Sequence, residues 1–118
     1  MDKIFQIGSF CFRICCKNPI PIPYNFLLFA NPQKTEADYN YHLSLEKKFD
    51  LPSQRKIAKR PDLLVMGNDK YESRLIGSLG GTSYYAFYRE ISECDAKVQI
   101  ALHKTSDLLY DTVFTSMF

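Results

Sequence analysis

The 118-residue sequence predicts an α+β domain, in which roughly five to seven strands form a mostly antiparallel sheet and an amphipathic helix follows at the C-terminus. Three strand-like runs over residues 71–102 are joined by a glycine-rich break and a short polar turn, as in an antiparallel meander. Apolar and polar residues alternate over positions 37–46, which is the pattern of a strand with one buried face. After residue 104 the apolar spacing becomes helical. These patterns predict a single β-rich domain over residues 1–118.

The N-terminal part of the chain predicts a strand and then a proline-rich extended segment. Residues 4–16 alternate in hydropathy, and Gly8 marks a bulge or a bend within them. The prolines at positions 19, 21 and 23 cannot donate ladder hydrogen bonds, so they predict an extended sheet edge or polyproline-like chain. Such an edge at Ile20 and Ile22 would either accept a peptide by strand addition or simply cap the sheet. Residues 26–30 fit a short buried strand and one helical turn equally well.

The remaining elements follow from spacing and turn chemistry. Residues 47–60 predict a basic loop or a marginal helical turn, and residues 63–66 predict a short strand that a turn reverses. The run YYAFYREI is apolar on both faces, which indicates a central strand. The glycine-rich break before it lacks the lysine of a P-loop, so a hairpin turn is the better interpretation. Over residues 105–118, apolar side chains recur at helical spacing.

Composition limits the classes of partner. Fifteen basic and thirteen acidic residues leave a net charge of +2, which is too near neutral to indicate a membrane or nucleic-acid partner. Neither a secretory signal nor a membrane-spanning run is evident, so we expect a cytoplasmic protein. The four cysteines lack the paired spacing of a zinc site and are interpreted as small core hydrophobes.

No catalytic or metal-ligating signature emerges from the residue pattern. His42 and His103 each stand alone on the polar side of a strand pattern, so a solvated or singly hydrogen-bonded imidazole is the expected role. The basic loop is the one sign-biased segment, and its cations are candidate contacts for a phosphate or a protein partner. These candidate residues are Lys47, Lys48, Arg55, Lys56, Lys59 and Arg60.

Four segments carry a resemblance to a known family. They are the opening FQIGSFCFRI, the pair PYNFLLF, the run SYYAFYREI followed by VQIALHKT, and the final DTVFTSMF. In this order they resemble the N-terminal region of bacterial HPr-kinase-like (phosphoenolpyruvate-carboxykinase-like) ATPases. The resemblance implies that the last helix leads into a nucleotide-binding domain with a P-loop. The 118 residues contain no such motif, so no catalytic residue can be assigned to them and no cofactor is expected within them.

Two functions remain open at this point. The resemblance implies a non-catalytic N-terminal accessory or recognition domain of a longer, kinase-like ATPase, whose partner is the C-terminal nucleotide-binding domain of the same chain. The alternative is a free-standing β module that binds a peptide or a small molecule. Independent catalysis has little support, because no acid–base pair converges in the sequence.

Overall fold

The structure is a computed structural model that describes residues 2–47, 55–60, 63–67, 70–77 and 84–101, with side chains for all of these except 55–60, 84 and 85. Lys48, His103, the glycines at positions 80 and 81, and the predicted helix over residues 105–118 lie outside the described residues. Within the described part of the chain, no helix combines the length and apolar character needed to cross a membrane.

Among the described residues, eight strands form one sheet, and a helical turn lies between the second and third strands. The order across the sheet is β1-β2-β3-β8-β7-β6-β5-β4. The helical turn α1 spans Tyr24–Leu27 and contains only the first two residues of the apolar run over residues 26–30, whereas Ala30 at the end of the run forms an isolated β-bridge. The strands are β1 Asp2–Ile7, β2 Phe10–Cys16, β3 Tyr39–Glu46, β4 Arg55–Arg60, β5 Leu63–Gly67, β6 Glu72–Gly77, β7 Tyr84–Glu90 and β8 Asp95–Ala101.

The sheet is mixed, so the prediction of a mostly antiparallel sheet is correct in β content but wrong in strand direction at the centre. β5 to β8 form the predicted antiparallel meander, and β1 pairs with β2 in a hairpin. β3, however, is parallel to both of its neighbours, β2 and β8. An alternating pattern reports which face of a strand is buried and not the direction of its partner, so the sequence could not reveal this.

Strand β4 corrects a second prediction. Residues 55–60 were expected in a loop or a helical turn, but they pair antiparallel with β5 from Arg55 opposite Gly67 to Arg60 opposite Leu63. The sequence RKIAKR lacks the apolar alternation that identifies a half-buried strand, because β4 is the outermost strand of the sheet. Edge strands rich in Lys and Arg are a common device against sheet-to-sheet aggregation.

The β1–β2 hairpin owes its two-residue turn to Gly8. Ile7 pairs with Phe10, so Gly8 and Ser9 occupy the central positions of the turn. Gly8 has a φ of 60°, and no described non-glycine residue has a positive φ. Glycine at the first central position is the requirement of a type II′ turn, whose twist matches that of the flanking strands. The prediction of one strand over residues 4–16 with a bulge or a bend at Gly8 is therefore wrong, because Gly8 reverses the chain and two strands form.

Side chains alternate along each strand and so give the sheet two distinct faces. We name each face after one residue type that it carries. The tyrosine face carries Tyr39, Tyr41 and Tyr88, and most of the buried apolar side chains pack there around Phe12 and Val98. The histidine face carries His42 and, on β5 to β7, a smaller apolar cluster of Leu64, Met66, Leu75 and Phe87. Each face is continuous from strand to strand, because directly paired residues point to the same side of a sheet.

The proline-rich segment covers the tyrosine face instead of forming a sheet edge. Residues 17–38 leave the end of β2 and return to the start of β3, as a connection between parallel neighbours must. On this path Ile20 is only 4% exposed and belongs to the core, with Ile22 and Phe26 packed against it. The predicted edge at Ile20 and Ile22 is therefore wrong. Pro23 has φ −55° and ψ 141°, which matches the polyproline-like alternative.

A different part of the same connection covers the outer edge of β1. The Gln6 N–H donates to the Phe29 carbonyl at 2.9 Å, and the Asn31 N–H donates to the Ile4 carbonyl at 2.8 Å. Ala30 forms an antiparallel bridge with Phe5 between these two bonds. Backbone groups that would otherwise be open to another sheet are thus satisfied within the chain.

Aromatic side chains fill the tyrosine face and exclude water from it. The ring of Phe12 stacks on Phe5, with 5.4 Å between the centroids, and meets the edge of Tyr41 at 5.8 Å. Tyr39 and Tyr88 bring their hydroxyl oxygens to 3.5 Å, and the Arg74 guanidinium lies 4.9 Å from the Tyr88 ring centroid. Burial raises the pKa of Tyr41 to about 12. These phenols are therefore neutral core side chains at physiological pH.

We expect Phe12→Ala to lower the free energy of unfolding by about 3–5 kcal/mol, since the side chain is fully buried and its removal leaves a cavity under three aromatic rings. Urea titration followed by far-UV circular dichroism measures this change. The matched control is Phe29→Ala, because Phe29 is 43% exposed and its backbone hydrogen bond survives the substitution. Equal losses in the two variants would contradict the assignment of the core.

Candidate functional site

The parallel pairing of β3 with β8 brings together polar residues that lie far apart in the sequence. His42 is the register partner of Cys15 on β2 and of Lys97 on β8, so these three side chains form a row across the histidine face. We call the β3–β8 junction the seam. It joins the strands of residues 2–46 to those of residues 55–101, and it is the position where the described polar groups of this face concentrate.

A cleft of about 520 Å³ opens on the seam, within the size range of small-molecule sites. We call it the seam cleft. Its polar lining among the described residues consists of Lys17, His42, Ser44, Glu46 and Lys97. Its other lining residues are Ile91 and Cys15, together with Cys16 and Leu43, whose side chains belong to the core on the tyrosine face. Charged side chains beside the apolar side chain of Ile91 are suited to a ligand that has both a polar group and an apolar body.

His42 and Asp95 form an ion pair or a hydrogen bond across the seam. His42 Nε2 lies 2.9 Å from Asp95 Oδ1, although the two residues are 53 positions apart. The expectation of a singly hydrogen-bonded His42 is confirmed. Its carboxylate partner was missed, because only the parallel register aligns the two strands. The sequence signal that could have pointed to this partner was an Asp at the start of a strand, directly after a polar turn.

Asp95 is held in its ionised form by three donors. Besides His42, the Cys94 Sγ donates to Asp95 Oδ2 at 3.2 Å and the Ser92 Oγ donates to the same oxygen at 2.9 Å. Hydrogen bonds from His42, Cys94 and Ser92, in that order of importance, lower the pKa of Asp95 to about 2. Such a carboxylate is a poor proton acceptor at neutral pH, so Asp95 fits a positioning role for His42 and not general-base catalysis.

The two thiols of the cleft are not activated. Burial is the main cause that raises the pKa of Cys15, and the carboxylate of Asp2 raises it further. Burial also raises the pKa of Cys16, whose side chain is only 7% exposed. Since the thiolate is the nucleophilic form, neither residue is suited to covalent catalysis. The interpretation of the cysteines as core hydrophobes is confirmed for Cys11 and Cys16, whereas Cys94 is exposed.

The structure does not gather the predicted basic contacts into one patch. Lys47 is exposed directly after β3, whereas Arg55, Lys56, Lys59 and Arg60 lie on β4 at the far edge of the sheet. Five strand spacings separate β3 from β4, which is about 24 Å along the sheet. A single small phosphate group cannot contact Lys47 and the β4 residues at once. The lysines at the seam cleft, Lys17 and Lys97, were not among the predicted contacts.

A second cavity of about 490 Å³ lies at the covered edge of β1, between Lys3, Arg13 and the loop of Asn31 to Lys34. Its most prominent cation already has a structural role, because Arg13 Nη2 donates to the Thr35 carbonyl at 2.9 Å. This bond ties the connection of residues 17–38, which we call the crossing segment, to β2. We therefore regard the seam cleft as the better candidate site.

Comparisons with metal sites and with other proteins add no assignment. Among the described residues, no three His, Cys, Asp or Glu side chains are grouped so that they could hold a metal ion. Comparison with protein-family models, with curated proteins and with solved structures gave no match to this chain.

We expect His42→Ala to raise the pKa of Asp95 from about 2 toward the ordinary carboxyl range, because the variant removes the strongest hydrogen bond to the carboxylate. A rise that stops short of that range is expected, since Ser92 and Cys94 still donate. Carbon-13 NMR titration of the side-chain carboxyl measures the value. The raised pKa also predicts a smaller contribution of Asp95 to stability in the variant, because this contribution is fully present above the ordinary carboxyl pKa of about 4, is lost as the pH falls through the folded-state pKa, and grows with the gap between the two values. An unchanged Asp95 pKa would contradict the seam geometry.

Proposed function

We propose that the domain is a non-catalytic recognition domain whose ligand binds in the seam cleft. The observation that carries the proposal is the cleft itself, which combines five polar lining residues with the apolar side chain of Ile91 beside the central strands of the sheet. Sites that are built on strands hold their side chains in place more accurately than sites on loops. The opposite face of the sheet is filled by the core and by the crossing segment, so the cleft lies on the side where polar groups are available.

The pKa values of the groups in and beside the cleft favour binding over catalysis. Catalytic acids and bases are commonly tuned toward neutral pKa values, whereas the pKa of Asp95 is lowered and those of the two thiols are raised. Glu46 accepts a hydrogen bond from the Ser44 hydroxyl at 3.0 Å, which fixes its carboxylate at the rim. Together these groups supply charge and hydrogen bonds in fixed positions, and these are the requirements of recognition.

The larger protein that this domain would serve is also part of the proposal. The likeness of four segments to HPr-kinase-like ATPases suggests that the domain delivers a substrate or a partner to a nucleotide-binding domain of the same chain. The described residues supply no phosphate-binding loop, so ATP chemistry in this arrangement belongs to the partner domain. A free-standing binding module would use the same cleft and would need no second domain.

Binding in the cleft can be tested with a matched pair of tryptophan substitutions. We expect a screen of small acids, amines, amides and short peptides, read by ¹⁵N amide shifts of the full chain, to contain compounds that move the amides of Lys17, His42 and Lys97. Ile91→Trp should weaken such binding by about tenfold or more by filling the cleft, equivalent to about 1.4 kcal/mol.

The control for this screen is Ile7→Trp. Ile7 is 42% exposed and Ile91 is 45% exposed, but Ile7 ends β1 and does not line the cleft. The control should bind like the unmodified chain. Compounds that move only amides near Asn31 and Lys34, or a screen without any cleft response, would contradict the proposal.

The ATPase part of the proposal has a separate test in the parent reading frame. We expect the sequence after Phe118 to contain G-x-x-x-x-G-K-[ST] within about fifty residues, since the family resemblance places a nucleotide-binding domain there. Sequencing the genomic DNA measures this directly. A stop codon or a frame without the motif would contradict the ATPase assignment and favour the free-standing module.

A further inference from the structure

We infer that the seam cleft binds the anionic group of its ligand, a carboxylate or a phosphate, between Lys17 and Lys97. The inference rests on the proposed function and adds the chemical class of the ligand to it. Lys17 follows the end of β2, Lys97 lies on β8, and both line the same cleft from opposite sides of β3.

Both lysines are held near β3 by backbone contacts. The Lys17 N–H donates to the Leu43 carbonyl at 2.9 Å, which extends the ladder beyond the last paired residue of β2. Lys97 is the register partner of His42 on one side and of Arg89 on the other. The backbone therefore places both lysines at the cleft, Lys17 as the first residue after β2 and Lys97 within β8.

The nearby carboxylates are occupied by other donors. Asp95 accepts from His42, Ser92 and Cys94, and Glu46 accepts from Ser44. Among the described residues, neither Lys17 nor Lys97 forms a salt bridge, and the two ion pairs present are His42–Asp95 and Arg74–Glu72. Neither ammonium group is therefore taken up by a salt bridge within the described residues, and the two lysines together outweigh the single negative charge that Glu46 brings to the cleft.

The surroundings strengthen such an interaction. Arg89 adds a third cation on the strand next to Lys97, with its guanidinium carbon 6.0 Å from the Phe87 ring centroid. Ile91 provides an apolar side chain at the cleft. Charge-assisted hydrogen bonds are shorter and stronger than neutral ones. The expected ligand is therefore a small aliphatic molecule with one anionic end.

The test compares three probes that share a six-carbon body: hexanoate, hexyl phosphate and the neutral hexanamide. We expect either anion to bind the full chain at least about tenfold more tightly than hexanamide, measured by ¹⁵N amide shifts of Lys17, His42 and Lys97. The tighter of the two anions identifies carboxylate or phosphate as the preferred group. Raising the salt concentration should weaken the binding of the anions and not that of the amide.

Charge-removing variants locate the contact. Lys17→Gln and Lys97→Gln should each remove most of the preference for anions, whereas Lys34→Gln removes the same charge outside the cleft and should leave it unchanged. Thermal unfolding checks that each variant is folded. Two results would overturn the anion inference without contradicting the proposed recognition cleft. One is equal affinity for hexanamide and the anions, and the other is a preference for anions that survives both cleft variants. If none of the three probes moves a cleft amide, the anion inference fails, and the broader screen of acids, amines and peptides then decides on the cleft itself.

Discussion

The parallel pairing of β3 with β8 is the interaction on which the rest of the structure depends. It joins two groups of strands, β1 to β3 on one side and the antiparallel strands β8 to β4 on the other, into a single sheet. Seven register pairs run from Asn40–Asp95 to Glu46–Ala101. The start of the seam is reinforced by the Asn40 N–H, which donates to the Cys94 carbonyl at 2.8 Å, and by the His42–Asp95 contact. Without this pairing neither the large core nor the cleft would be complete.

The two faces of the sheet divide structure from recognition. On the tyrosine face, apolar side chains from both groups of strands merge into one core, and the crossing segment adds Ile20 to it. Burial of that area is the main source of stability in a domain without disulfides, and all the described cysteines are free. On the histidine face the same strands present charged and hydroxyl groups around the seam. One pairing thus produces both a closed core and an open polar surface.

The sequence was informative wherever burial follows a local period and uninformative wherever pairing is long-range. Alternation predicted β2 and β3, whereas Gly8 was predicted as a bulge or a bend within one strand and forms the turn of a hairpin. β4 escaped prediction because an edge strand of mostly basic residues has no apolar face to detect. The candidate site escaped it as well, since Lys17 follows β2 and His42 and Lys97 lie on β3 and β8, and no local pattern encodes the order and direction of these strands.

The seam also has a consequence for how the chain reaches its native state. The β1–β2 hairpin and the β5–β8 meander connect strands that are neighbours in sequence, so each can form with a small loss of loop entropy. The seam aligns residues that are more than fifty positions apart, such as His42 and Asp95, and contacts of this kind slow folding. We therefore expect seam closure to come late, after the local hairpins have formed. Since the cleft exists only once the seam has closed, any ligand it holds would distinguish finished molecules from half-assembled ones.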